Sequence, residues 1–155
     1  MEEKKENETT LELARSFFNA MGIAYEDLTV KEEDGRLNVL LYSKNDSKIL
    51  IGKGGANLIS LTLILNLIVK KKIGPEAQIF VDINDYHKEN LDMIKQKALM
   101  VAERVRSFQV DMELDPMNPM ERRFVHSLFS NDPGVMTESK GTGRDRRVVV
   151  KVKKE

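Results

Sequence analysis

Three glycines gathered around one lysine, Gly52-Lys53-Gly54-Gly55, interrupt the apolar stretch "ILIGKGGANL" at 49–58, and this feature constrains the fold more than any other. Glycine adopts backbone angles closed to other residues and leaves its peptide groups unshielded. Such a segment makes a tight connection that a bulky ligand can approach, and the neighbouring elements must be built around it. The apolar residues before it predict a short helix near Ser47–Ile51. Those after it predict a long helix over about 56–71, closed by Gly74-Pro75.

The remaining elements follow from period and punctuation. Leu11, Ala14, Phe17, Phe18 and Met21 recur at helical spacing before Gly22, predicting an amphipathic helix over 9–21. "DLTVKEE" and "RLNVLLYS" flank Asp34-Gly35, the pairing expected of a β-hairpin, and "QIFVDI" at 78–83 predicts a third strand. Leu91, Ile94, Ala98, Val101 and Val105 form a second helical stripe, and a strand follows near Gln109–Leu114. In "MNPMERRFVHSLFSNDPG", Asn118 reads as the N-cap, Pro119 as the first helical residue and Glu121 as the reciprocal capping partner. A closing hairpin is predicted from 135–139 and 145–153 around "GTG". The fold class is therefore α+β, with a seam near Asp85.

Composition enters through what it excludes and where the charge falls. The 155 residues contain no cysteine and two histidines, which leaves neither a disulfide framework nor a thiolate metal site. The N-terminus "MEEKKENETT" is polar and acidic, and the mostly apolar stretch Leu58–Val69 is shorter than the ~20 residues of a membrane span, so a cytoplasmic location is expected. Formal net charge is zero, but six lysines against Asp46 alone give +5 over 44–72, and 119–155 carries +4. Two basic islands in an otherwise acidic chain suit two contacts with an anion.

Bare glycine backbone, the N-terminus of the following helix and Lys53 together suit phosphate. A nucleotide P-loop needs a longer glycine loop after a strand and a Ser or Thr after its lysine, whereas Gly54 follows Lys53 here. A GxxG turn between two helices, within an α-β-β-α-α-β order, resembles a type II KH domain over residues 10–84, whose loop clamps a nucleic-acid backbone. Phosphates would then lie over Gly52, Lys53, Gly54 and Gly55, with bases in an apolar groove drawn from Ile49, Ile51, Leu58, Ile59 and the strand Ile79–Val81.

In the second island Arg122 and His126 stand four apart on one helix and share a face. "PMNPMERRFVH", followed by "NDPGVMTESKGTGRDRRVVV", resembles the small domain family named for its Arg-x-x-x-His signature, over 86–154. Arg123, Lys140, Arg144, Arg146 and Arg147 are expected on the same phosphate-binding surface. A KH domain followed by an Arg-x-x-x-His domain is similar to the bacterial Jag, or SpoIIIJ-associated, proteins. Members usually carry a further N-terminal domain, whereas this sequence starts almost at the KH-like segment. The resemblance implies links to the membrane insertase, to envelope growth or sporulation, and to a smaller KH-domain partner; a homodimer is the other pairing expected.

The expected molecule is thus a flexible N-terminus over 1–9, a KH domain over 10–84 and an Arg-x-x-x-His domain over 85–155. It binds single-stranded RNA, or single-stranded DNA, without catalysis, cofactor or metal. No acidic cluster has metal-ligand spacing and no serine sits in a nucleophile elbow. An adaptor that tethers proteins at the membrane is the alternative.

Overall fold

A computed structural model describes residues 2–33 and 35–154, which divide into two compact units, Met1–His87 and Lys88–Glu155. The first unit contains α1 (Glu2–Ala20), β1 (Asp27–Glu33), β2 (Arg36–Tyr42), α2 (Ser47–Ile51), α3 (Ala56–Lys72) and β3 (Ile79–Ile83). That is the α-β-β-α-α-β order expected. β1 pairs antiparallel with β2, and β2 runs parallel to β3 with Val39 opposite Val81. Alternate residues Leu37, Val39, Leu41, Ile79, Val81 and Ile83 face the helices, where Ala14, Phe18, Leu50, Leu58, Leu65 and Val69 complete the core.

Helix α1 begins at Glu2, where a flexible tail through residue 9 was expected. No Gly or Pro interrupts residues 2–20, and Glu and Lys are good helix formers, so the amphipathic segment extends N-terminally without a break. Asp34 of the expected Asp-Gly turn lies outside the described residues, while Gly35 takes a φ of 72°. The segment Ser47–Lys72 has the average hydropathy and length of a membrane span. The glycine turn breaks it, however, and α3 alone, at 17 residues, reaches only ~25 Å.

Two asparagines fasten the sheet at its ends. Asn66 in α3 donates to the carbonyl of Ile79 at 2.8 Å and accepts from its N–H at 2.9 Å, which holds the start of β3. Asn84, at a left-handed φ of 52°, exchanges the same pair of bonds with Ser43 and extends the β2–β3 ladder through a side chain.

The second unit holds α4 (Tyr86–Phe108) from Lys88 onward, then β4 (Met112–Glu113), α5 (Pro119–Leu128), β5 (Val135–Lys140) and β6 (Arg147–Val152). Its sheet runs β4-β6-β5, all antiparallel. Ala98, Ala102 and Val105 of α4 meet Val125 and Phe129 over Val135, Val148 and Val150. The strand expected over 109–114 contracts to two residues, because Phe108 still ends a helix and Gln109 turns left-handed at a φ of 54°.

Candidate nucleic-acid interface

In the first unit the glycine turn is built from two sides. Leu50 buries itself and anchors α2, leaving Ile49 outward at 68% exposure and Ile51 half-buried. Gly52 takes φ 72°, and a Cβ there would lie 2.6 Å from Cγ of Asn57. Asn57 donates to the carbonyl of Ile49 at 2.7 Å, clasping the end of α2 to the start of α3. Gly55, at φ 77°, is buried against Tyr86, whose Cε1 would stand 3.1 Å from an added Cβ. Gly54 differs: its φ is 60°, but no atom lies within 4 Å of an added Cβ. Lys53 is exposed, and no side chain caps α3. The turn therefore offers unshielded backbone and one cation at the positive end of a 17-residue helix.

The apolar groove is smaller than the sequence suggests. Leu58, Ile79 and Val81 belong to the core, because the alternation of β3 and the inner stripe of α3 turn them toward each other. Ile49 and Ile59 are exposed beside the turn, with Ile51 half-buried.

In the second unit Asn118 accepts from the N–H of Glu121 at 2.9 Å, and Glu121 accepts from the N–H of Asn118 at 2.8 Å. The capping box is therefore reciprocal, and the second oxygen of Glu121 takes a bond from Asn90 at 2.6 Å. The helix so started carries Arg122 and His126 on one face. Arg122 donates to the carbonyl of Met117 at 2.8 Å. Nδ1 of His126 meets Oγ1 of Thr137 at 2.7 Å, and Nε2 meets Oγ of Ser139 at 2.8 Å. Partial burial, and then the charge of Arg122, push the imidazole pKa below its ordinary value. A neutral ring carries one N–H and one lone pair, so one hydroxyl accepts and the other donates. His126 thus pins β5 to α5 with both nitrogens occupied.

The seven basic residues expected on one surface do not all share it. Thr137 and Ser139 reach α5, so by strand alternation Lys140 points to the opposite face of the sheet, together with its cross-strand neighbour Arg147. Lys140 pairs with Glu113 at 2.9 Å and Arg147 with the same carboxylate at 3.4 Å. The hydrogen bond and charge of Lys140, joined by Arg147, hold Glu113 below the usual carboxylate range. Arg123, Arg144 and Arg146 are exposed and make no ion pair among the described residues. Sequence reasoning missed Tyr86 beneath the turn, because 31 positions separate it from Gly55 and no local pattern links them. It also missed Thr137 and Ser139, whose alternation on a β-prone segment beside a histidine-bearing helix was the available signal.

Comparison with known proteins adds identity to this geometry. Residues 92–152 match the domain family named for its Arg-x-x-x-His signature. The chain is 33% identical over 147 residues to RNA-binding protein KhpB of Clostridium symbiosum, covering 94% of this chain and 65% of that protein. It is 26% identical over 130 residues to RNA-binding protein KhpB of Bacillus subtilis, covering 83% and 62%. For the protein of the same name in Lactiplantibacillus plantarum the identity is 27% over 119 residues, covering 77% and 37%. The chain thus spans less than two-thirds of the length of each of these relatives.

Proposed function

We propose that the chain, similar to the Jag/KhpB proteins over most of its length, is a cytoplasmic, non-enzymatic binder of single-stranded RNA that uses a surface on each unit. The observation that carries the proposal is the glycine turn. A Cβ would collide with Asn57 at Gly52 and press on Tyr86 at Gly55, and Gly54 leaves the approach open beside Lys53 at the start of α3. The arrangement resembles a KH clamp, in which phosphates sit over the backbone and bases rest on Ile49 and the half-buried Ile51. Single-stranded DNA offers the same phosphates; the 2′-hydroxyl is what would discriminate. On the second unit, Arg122 and Arg123 hold backbone while His126 fixes α5 against β5.

The non-catalytic reading is supported by the relatives named as RNA-binding proteins and by the Arg-x-x-x-His domain match. A second reading, an adaptor for protein partners such as the membrane insertase, is favoured by the exposed apolar side of α3, where Ile59, Leu63, Ile64 and Leu67 face solvent. We assign that side to a second copy of this chain. It bears no charge, and an antiparallel pair centred on Leu63 sets Ile59 against Leu67 of its mate, the self-complementarity of a two-fold contact. A smaller KH-domain protein with a like helix would fit by the same chemistry.

The test is titration of a labelled, unstructured oligoribonucleotide with the wild type and with K53D/G54D. The variant adds two carboxylates where phosphate must sit while leaving the core unchanged. Loss of binding by a folded variant is expected. Equal affinity would rule out the clamp and leave the adaptor reading.

A further inference from the structure

Phe108 is 72% exposed, more than any other large apolar side chain among the described residues, and its ring pairs with no other ring there. Hydrogen bonds fix the backbone that follows it. The next residue, Gln109, is left-handed at φ 54°, with its N–H donating to the carbonyl of Val105 at 2.9 Å and its side chain to that of Arg106 at 2.7 Å. Val110 is also exposed, and Asp111 accepts from the N–H of Val152 at 2.9 Å. An aromatic ring is thus presented to water from a helix end whose turn is bonded back to α4 at Gln109 and to the last strand through Asp111.

The cations around it indicate what would cover it. Arg104 is exposed one helical turn before Phe108 on the same face. Lys153 and Lys154 follow Val152, the residue tied to Asp111; Lys153 is held by its N–H on the carbonyl of Gly134 and by its ammonium on that of Asp132. Arg106 is engaged with Asp132. The C-terminal end of α4 carries partial negative charge, so phosphate here would be held by these side chains and not by backbone amides.

We propose that Phe108 is a base-stacking platform for single-stranded RNA, with Arg104 and Lys154 holding the flanking phosphates. This inference rests on the RNA-binding reading above and adds a contact that neither the glycine turn nor the Arg122/His126 face supplies. Stacking of a base on an aromatic ring is sequence-tolerant, because every base has a π-face.

The sequence contains no tryptophan, so F108W introduces the sole indole in the chain. Its fluorescence should be quenched on titration with a short oligouridine, with affinity close to wild type. F108A should bind the same RNA about 10-fold more weakly. The slope of log affinity against log salt should not change in F108A, because no phosphate contact is lost, whereas R104A should lower it by about 0.7. Wild-type binding with undiminished affinity in F108A and no quenching in F108W would overturn the platform alone, and would assign the ring to a protein contact. Absence of RNA binding by the wild type would overturn both readings.

Discussion

His126 and the glycines of the turn carry structural constraints that single substitutions can measure. His126 is held neutral by partial burial and by Arg122, so its folded pKa lies below the ordinary value near ~6.5. A depressed pKa contributes stability above the unfolded value that is lost as pH falls through the folded one, because the unfolded chain takes up a proton first. Urea midpoints should therefore fall between about pH 6.5 and the lower folded value, and H126Q, which keeps polar contacts without titrating, should lose part of that fall. An identical pH profile in H126Q would contradict the assignment. Replacing both Arg122 and His126 by alanine should also cost stability, since Thr137, Ser139 and the Met117 carbonyl lose partners, each worth about 1 kcal/mol. At the turn, G55A combines a left-handed φ with a 3.1 Å approach to Tyr86 and should cost about 1–3 kcal/mol. G54A, with open space, should cost less; equal costs measured by thermal melts would show that Tyr86 gives way freely.

At the scale of elements, α5 owes its start to a reciprocal cap, and the second copy proposed for α3 would cover its apolar side. N118A removes the acceptor for the N–H of Glu121 and should destabilise the second unit by about 1 kcal/mol. A fall under a few tenths in denaturant titration would make the cap incidental. On α3, L63E sets a charge at the centre of the apolar side, so the wild type should sediment as a dimer and the variant as a monomer. A monomeric wild type would remove the second copy from this face. These elements also mark what the sequence could disclose. Asn118, Pro119 and Glu121 announced α5 because capping is local chemistry, and the glycines announced the turn because their φ requirement is local too. Asn66 holding Ile79, Asn84 closing on Ser43 and Tyr86 under Gly55 could not be read, because each is a meeting of distant segments fixed by the completed sheet. Leu58, Ile79 and Val81 were placed in a groove because an apolar residue carries no mark saying whether it faces core or ligand.

For the whole molecule, the sequence disclosed that basic charge is clustered but not that strand alternation would split one cluster. Lys140 and Arg147 share Glu113 on the outer side of the second sheet, away from the His126 side. Their contribution to RNA binding should accordingly be small, and K140A should leave affinity nearly unchanged while Lys53, Arg122 and Arg123 govern it. If each unit holds phosphates of the same strand, the salt dependence of affinity for a labelled oligouridine, measured for wild type, K53D/G54D, R122A/R123A and the combination, will show it. The log–log slope should shrink by about 0.7 for each phosphate contact removed, with the combined variant showing the sum of the two losses. A slope unchanged in either parent variant, with the protein folded, would contradict it.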